Sequence, residues 1–359
     1  MQFSNINYVH IKLIKLIFIF LISILFTFNV HSINYYVDAS KGSDSNNGLS
    51  TSSAFKTIDY AVKKLDTNDI LYIMNGTYYL NSKIRFEFKD FGNSIITAFP
   101  NHKPVIKQNI QRFENPSSGT WIKSNEAGNI WYTIYDSTNK LFIAQYSDTK
   151  TSLLTYESFT EFKNLNKPDG IYYDSSSKRL YIKFKDPSKD PNNIKLLISK
   201  EIAFELYDVK GLTIANLSII GATRCINVDA SSNLNIEGNT CFGSFLGFSV
   251  KTSRNIRINK NTAYMKRDPS FSYYDMKNRP YETSGIFLQD NYEGIIVKNN
   301  KVYGHFNGIL IYSTSKGKHS NIDVSYNNIY DIYDDGLEIE DYCNGGRFHH
   351  NDIKDSFVG

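Results

Sequence analysis

The segment from Asn239 to Val250 reads NTCFGSFLGFSV, and its pattern returns along the C-terminal half of the chain. Asn300 begins NKVYGHFNGILI, and Asn328 begins NIYDIYDDGLEI. In each copy a glycine stands eight residues after the asparagine and opens a strand-like stretch with apolar residues at every second position. The asparagine series also includes Asn216, Asn261 and Asn351. A period-two stretch at a fixed place in a repeat predicts one strand per repeat unit.

The repeat predicts a β-helix in which each unit forms one coil. A single coil cannot bury its apolar side alone, whereas coils stacked at a strand spacing of about 4.8 Å share a continuous core. An asparagine at the same bend of every coil can hydrogen-bond its neighbours and satisfy buried turn backbone. We expect one column formed by Asn239, Asn261, Asn300, Asn328 and Asn351, continued by Asn216. The strand residues expected to face the core are Phe248, Val250, Ile286, Leu288, Ile309, Ile311, Leu337 and Ile339.

The region after residue 33 adds a resemblance to a known family. Tyr35-Tyr36-Val37-Asp38, the run GSDSNNG at 42–48 and Ala54-Phe55-Lys56-Thr57-Ile58 resemble the opening segment of secreted right-handed parallel β-helix proteins of the pectate-lyase-like superfamily. In that superfamily a short helix caps the first coil, and the amphipathic stretch from Thr57 to Leu65 fits such a helix. The resemblance implies the fold and leaves the chemistry open, because the superfamily contains lyases, hydrolases, epimerases and noncatalytic members.

The predicted fold class is therefore all-β, a right-handed parallel β-helix with an N-terminal capping helix and an inserted β-rich subdomain. Residues 33–111 form the cap and first coils, residues 112–200 the insertion, and residues 201–359 the remaining coils. The insertion carries strand-like runs and a Gly170–Asp174 motif, GIYYD, comparable to one in insertions of related β-helix proteins. Substrate contact and simple decoration both remain open for it. Because Gly359 falls at a coil-opening position, we expect a chain truncated at its C-terminus.

Residues 1–32 are predicted to be a secretory signal peptide. Lys12 and Lys15 precede an apolar run from Leu16 to Phe28, which is shorter than the roughly 20 residues that a membrane span needs. The protein is accordingly expected to be secreted, free of the membrane after cleavage, and monomeric. A formal net charge of +4 gives no case for a nucleic-acid partner. Three cysteines are too few for a disulfide framework, so buried thiols are expected.

Residues 331–341 are unusually acidic, with six carboxylates and no lysine or arginine. Asp334 stands where other coils carry a phenylalanine, a substitution that sacrifices apolar burial. One hypothesis is a Ca²⁺ site, because Ca²⁺ binds several carboxylate oxygens; its ligands would be Asp334, Asp335, Glu338 and Glu340. A second is a general acid and base of a glycoside hydrolase, drawn from the same acids. The third is a solvated acidic edge.

A lyase also needs a base, and two side chains are candidates beside the acids Asp334 and Asp335. Lys251 faces the same outer sheet surface about 14 Å away, and His305 lies in the bend below Tyr333. The turn from Asn261 to Gly285 spans 24 residues and is rich in aromatic and basic side chains. Such side chains stack on sugars and bind uronate carboxylates, although a loop folded back on the helix is an equal alternative. The predicted substrate-binding residues are Arg267, Tyr274, Arg279 and Tyr312.

These features predict a secreted, carbohydrate-active protein whose partner is an extracellular acidic polysaccharide. Lyase or epimerase chemistry with Ca²⁺ as cofactor is placed first. A glycoside hydrolase with a carboxylate pair and a noncatalytic binding protein are the alternatives, and an enzyme is favoured over binding alone.

Overall fold

The chain winds into a right-handed parallel β-helix, which confirms the predicted fold class. The computed structural model describes residues 32–137, 142–277, 282–291, 293–314, 321–343 and 345–358. The proposed signal peptide, apart from Ser32, and Gly359 lie outside these residues. No helix in the described part of the chain has the length and hydrophobicity needed to span a bilayer.

Three parallel sheets run along the β-helix, and each coil contributes a strand to each of them. Sheet 1 contains the first parts of β4 (Ile84–Ala98) and β13 (Phe204–Ala215), then β15 (Arg224–Asp229), β18 (Leu246–Lys251), β21 (Ser284–Gln289), β24 (Asn307–Ser313) and β27 (Leu337–Asp341). Sheet 2 contains β1 (Asn34–Val37), β2 (Ile70–Ile73), the later parts of β4 and β13, β16 (Ser232–Glu237), β19 (Arg254–Asn259), β22 (Ile295–Lys298), β25 (Ile322–Ser325) and β28 (Gly346–His349). Sheet 3 contains β3 (Thr77–Tyr79), β5 (Val105–Lys107), β14 (Ser218–Ile220), β17 (Thr240–Phe242), β20 (Thr262–Tyr264), β23 (Lys301–Tyr303), β26 (Asn328–Asp335) and β29 (Asp352–Val358).

The core follows the predicted alternation in sheet 1. Phe248, Ile286 and Ile309 occupy one column, and each has no solvent-exposed surface. The same column reaches Leu337 in β27, where the next inward residue, Ile339, is 46% exposed. The strand β27 is the last of sheet 1 within the described residues, so the core is less covered there.

The asparagine column lies at the bend between sheets 2 and 3. Asn239, Asn261 and Asn300 are almost fully buried, and each side-chain oxygen accepts hydrogen bonds from the preceding coil. Asn261 N, for example, donates to Asn300 Oδ1 at 2.9 Å. Each side-chain amide also donates to a carbonyl, as Asn300 Nδ2 does to Ile258 O at 2.9 Å. The column therefore satisfies buried turn backbone from coil to coil.

The predicted column is wrong at two positions. The fourth position belongs to Asn327, whose Oδ1 accepts from Asn300 N at 2.9 Å, whereas Asn328 is exposed and begins β26. At the other end Leu217 holds the ladder position, and its backbone N donates to Asn239 Oδ1 at 3.1 Å. Asn216 is exposed and has a positive φ of 59°, so it forms the preceding left-handed turn position, which suits asparagine.

The expectation of buried thiols is wrong for two cysteines. Cys225 and Cys241 form a disulfide inside the core, with Cα atoms 5.9 Å apart. They are 16 residues apart in sequence but face each other across one coil, from β17 to β15. Cys343 is the free cysteine and is partly buried.

The N-terminal cap and the insertion have the predicted character. The helix α1 (Ile58–Ala61) continues into a 3-10 turn, and Thr57 caps it by accepting from Tyr60 N. Its apolar face is buried against the first coils through Ile58, Ala61, Val62 and Leu65. The insertion is a seven-stranded mixed sheet composed of β6 (Ile122–Lys123), β7 (Asn129–Ile134), β8 (Ala144–Tyr146), β9 (Ser152–Tyr156), β10 (Gly170–Asp174), β11 (Arg179–Phe184) and β12 (Leu196–Ile198). Short helices α2 (Gln111–Glu114) and α3 (Phe159–Phe162) lie beside it.

Candidate functional site

The long turn after β20 lies beside the acidic end of sheet 1. It contains the helix α4 (Tyr273–Met276), whose first turn is closed by a capping box between Ser272 and Asp275. Phe271 is buried in an aromatic cluster with residues of the insertion and of the bend before sheet 1, including Phe306. The turn therefore follows in part the folded-back alternative, and this packing fixes the position of the residues that follow Phe271.

Asp334 is held by this turn. It is 3% exposed, and its Oδ2 pairs with Lys277 Nζ at 2.6 Å while Tyr273 OH donates to Oδ1 at 3.3 Å. Its backbone N donates to Phe306 O, which places it beside the aromatic position that the sequence pattern indicated. The departure from phenylalanine is explained by an ion pair in which the carboxylate is buried, because an unpaired carboxylate there would be costly.

Glu338 and Glu340 project from the outer face of β27, as the alternation predicted. Leu310 is the register partner of Glu338, and Tyr312 is the partner of Glu340. Burial raises the pKa of Glu338 to about 8, and the neighbouring Glu340 carboxylate adds to the shift by hydrogen bonding and repulsion. Glu338 is thus a carboxylic acid that keeps its proton at neutral pH, next to the exposed Glu340.

Two further acids complete this group. Burial raises the pKa of Asp335, and Asp334 and Glu340 add to the rise while Lys277 opposes it. Burial likewise raises the pKa of Glu282, with Lys277 opposing and Asp334 and Glu340 adding. Mutual influence of this kind requires proximity. We call the set Glu282, Asp334, Asp335, Glu338 and Glu340 the acidic cluster.

Sequence reasoning missed Glu282 and did not select Lys277 or Tyr273. All three belong to the long turn, which has no repeat register from which their positions can be counted. The only usable signal was the unusual length of the turn, since an insertion before a sheet 1 strand places its last residues next to that sheet. Glu282 stands two residues before β21.

The two predicted bases do not join the acidic cluster. His305 is fully buried, and neither ring nitrogen has a hydrogen-bond partner among the described residues. Burial lowers its pKa to about 3, so it is neutral and out of reach of a polysaccharide. The structure therefore removes His305 from the candidate bases. Lys251 does face outward, but Gln289 and Tyr312 separate it from Glu340 in their column, which leaves it about three strand spacings away.

The predicted substrate-binding residues lie in different settings. Tyr274 is 77% exposed and packs edge-on against Tyr273, beside Asp334. Tyr312 lies next to Glu340 on the outer face of sheet 1. Arg267 pairs with Asp331 at 3.1 Å, and its guanidinium lies 4.6 Å above the Tyr333 ring. Arg279 lies outside the described residues.

The four acids predicted to hold Ca²⁺ do not form a preformed metal site. Both oxygens of Asp334 already have partners, so this carboxylate is not a free ligand. Within the described ranges no group of three or more His, Cys, Asp or Glu side chains is arranged to hold a metal ion. The arrangement suits proton transfer, because a protonated acid adjoins an exposed carboxylate. Binding of Ca²⁺ stays a prediction.

Comparison with known proteins supports the fold. A profile described as a right-handed beta helix region matches residues 153–319. No curated protein sequence matches the chain. Among solved structures the chain is similar to XylC in complex with xylose, with a TM-score of 0.55 and 15% identity over 91% of this chain and 67% of that one. It is also similar to a rhamnogalacturonan lyase (TM-score 0.48, 12% identity, 90% of this chain and 62% of that one) and to pectate lyase Pel9A (0.46, 12%, 92% and 78%).

Proposed function

Starting from a right-handed parallel β-helix with the acidic cluster at the bend that opens β27 and along its outer face, we propose that this protein is a carbohydrate-active enzyme that hydrolyses glycosidic bonds. The observation that carries the proposal is the pair Glu338 and Glu340. One is protonated at neutral pH and the other is exposed on the same face. Glycoside hydrolysis uses one acid to protonate the leaving oxygen and one carboxylate to activate water or attack the sugar. Because the two groups must flank the bond at a separation of at least about 5 Å, the contact between Glu338 and Glu340 has to open when the substrate binds.

In this mechanism Glu338 donates its proton to the glycosidic oxygen. Glu340 then acts as the base toward water, and Asp335 keeps the local field negative, which favours the positive charge that develops on the sugar ring. Tyr274 and Tyr312 offer apolar faces for stacking on sugar units on either side of the bond. Lys277 fixes Asp334 and so holds the bend that opens β27.

The carbohydrate substrate class has separate support. One of the solved structures to which the chain is similar in fold was determined with xylose, which is consistent with a sugar ligand. The Cys225–Cys241 disulfide suits an oxidising compartment, as expected for a secreted protein.

Elimination on an acidic polysaccharide, the leading prediction from sequence, remains the second candidate. The observation in its favour is the crowding of five carboxyl groups near Lys277, because the pKa values of Glu282, Asp335 and Glu338 are raised first by burial and then by the neighbouring carboxylates. A divalent cation would relieve this repulsion. It would require rearrangement of the Asp334–Lys277 pair, and for that reason hydrolysis is placed first.

The test is activity of the purified protein on a panel of neutral and uronate-containing polysaccharides, with and without a chelator. Hydrolysis predicts new reducing ends, no ultraviolet-absorbing unsaturated product, and no effect of the chelator. Elimination predicts unsaturated products that the chelator suppresses. Binding without turnover would contradict both enzymatic candidates and leave a noncatalytic polysaccharide-binding protein.

A further inference from the structure

The insertion carries an open pocket of about 300 Å³, and none of the residues that line it belongs to the acidic cluster. It is bounded by the turn before β7, the segment after α3 and the end of β11. None of its described lining residues is acidic. Four of them are lysines: Lys123, Lys167, Lys183 and Lys185. Leu165, Phe184 and Pro187 supply apolar walls. We call it the lysine pocket.

Lys183 is the unusual member of the lysine pocket. It is only 1% exposed, and it lies on the same face of β11 as Tyr181. Its Nζ donates to Asn164 O at 2.6 Å and lies 4.5 Å from the centre of the Tyr156 ring. Within the described residues no carboxylate is close enough to form an ion pair with it. Burial lowers its pKa to about 8, and the Asp169 and Glu161 carboxylates, which form no ion pair with it, offset this only in part.

The other lysines leave the positive charge of the pocket mostly uncompensated. Lys167 pairs with Asp275 at 2.7 Å, whereas Lys123 donates to the amide oxygen of Asn129 and lies 4.9 Å from the centre of the Trp131 ring, with no ion pair among the described residues. Lys185 is exposed and has no ion pair in the described part of the chain. By contrast Lys189, outside the pocket, pairs with Asp169 at 3.1 Å. Like charges gathered in a concave site raise the local concentration of anions.

We propose that the lysine pocket binds an anionic group of a glycan, either the carboxylate of a uronate unit or a sulfate ester. An anion there would give Lys183 the directly contacting counter-charge that it lacks among the described residues, and would accept hydrogen bonds from its remaining N–H groups. The apolar walls would contact the less polar face of the same sugar unit. The proposal goes beyond glycosidic-bond cleavage, because it needs binding alone and holds whether or not the acidic cluster is catalytic.

The experiment is calorimetric titration of the intact protein with trigalacturonate, its fully methyl-esterified form, and sodium sulfate. The key variant is Lys123→Gln/Lys185→Gln, because both side chains are exposed and their replacement leaves the buried Lys183 in place. The matched control is Lys178→Gln, an exposed lysine at the other end of β11 that pairs with Asp136. We expect trigalacturonate to bind the wild type and the control equally, and the double variant about tenfold more weakly or worse.

The anion arms identify the source of the charge. If sulfate competes with trigalacturonate for the wild type, the pocket accepts either anion; if it does not, the pocket is selective for uronate. Loss of binding on methyl esterification supports the requirement for negative charge. Absence of trigalacturonate and sulfate binding, or equal trigalacturonate binding by the double variant, overturns the proposal.

A second variant tests the role of the buried Lys183. A measurement of activity then separates the lysine-pocket proposal from the proposal that the acidic cluster is catalytic. Lys183→Met, checked for folding by circular dichroism, is expected to weaken trigalacturonate binding at least as much as the double variant. Unchanged affinity in a folded Lys183→Met protein contradicts its role. The double variant should keep the wild-type turnover of a neutral substrate from the panel, so failure of the lysine pocket is distinguishable from failure of the acidic cluster.

Discussion

Two bends of the same coil show opposite solutions to burying polar groups. At the bend between sheets 2 and 3, Asn261, Asn300 and their neighbours satisfy each other in a regular column. At the bend between sheets 3 and 1 and on the strand that follows it, carboxylates crowd together, and Glu338 Oε2 is buried without a hydrogen-bond partner among the described residues. Two atoms at the start of neighbouring sheet 1 strands, Ser284 Oγ and Asn307 Oδ1, are likewise buried and unpartnered in the described structure.

The difference indicates what each bend is for. A column of satisfied amides lowers the free energy of the fold and repeats wherever a coil repeats. A cluster of acids with raised pKa values works against stability, and such sites persist mainly where they have a function. The first bend therefore serves stability, and we propose that the second serves chemistry.

The largest stability effect is expected from breaking the column at Asn327. Replacing Asn327 with Ala removes the acceptor for Asn300 N and the donor to Val297 O, and leaves both buried. We expect a loss of about 2–4 kcal/mol in the free energy of unfolding, measured by denaturant titration. The matched control is Asn328→Ala, one residue later and exposed, which should change stability by less than about 0.5 kcal/mol. Equal losses for the two variants would contradict the column assignment.

A smaller effect is expected from breaking the ion pair beside the acidic cluster. Lys277→Met leaves the carboxylate of Asp334, 3% exposed, without its cation. The expected loss is about 1–2 kcal/mol, below that for a fully buried pair because the Lys277 side chain is 36% exposed. Lys251→Met is the control, since Lys251 is on the same sheet face and has no ion pair among the described residues. If both variants unfold at the same temperature as the wild type, the ion pair does not hold the bend.

A pH dependence of stability is expected from Glu338. Its pKa is raised in the folded state from an ordinary value of 4.5 to about 8, so between these values the folded protein binds more protons than the unfolded chain. Stability must then fall as pH rises through this window. Glu338→Gln should remove that contribution, so the wild type should lose more stability than the variant between about pH 5 and pH 8. Parallel stability curves for the two proteins would refute the raised pKa.

The two bends also differ in how well their structure was predicted from sequence. Periodicity located the strands of sheet 1 and the outward positions of Glu338 and Glu340, because alternation along a strand fixes which face a side chain occupies. It missed the column by one residue at Asn327, since two adjacent asparagines both fit the spacing. It placed Asp334 beside the Phe306 position correctly, but the partner Lys277 comes from a turn without a repeat.

Other features depend on contacts that no repeat encodes. The Cys225–Cys241 disulfide forms across one coil, and counting cysteines did not reveal that the two residues face each other. His305 was a reasonable candidate base by composition, but whether a bend residue turns inward or outward is decided by packing. The role of the insertion was left open, and the charge arrangement around Lys183 became visible only when four segments of that sheet were brought together.

The central claim is that the acidic cluster is kept for catalysis at the expense of stability, and Glu338→Gln tests it most directly. For this variant and for Glu237→Gln, two quantities should be measured against the wild type: the turnover of a polysaccharide that the wild type hydrolyses, and the temperature of thermal unfolding. Glu237 is a sheet 2 carboxylate with hydrogen bonds from Asn235 and Asn259, and the pKa of Glu237 is lowered chiefly by the bond from Asn235.

For Glu338→Gln the account predicts a fall in kcat of about 100-fold or more, with an unfolding temperature at neutral pH equal to or above that of the wild type. Glu237→Gln should show the reverse pattern, with full turnover and a slightly lower unfolding temperature. A Glu338→Gln protein that keeps its turnover, or that loses it only together with its stability, would contradict the account.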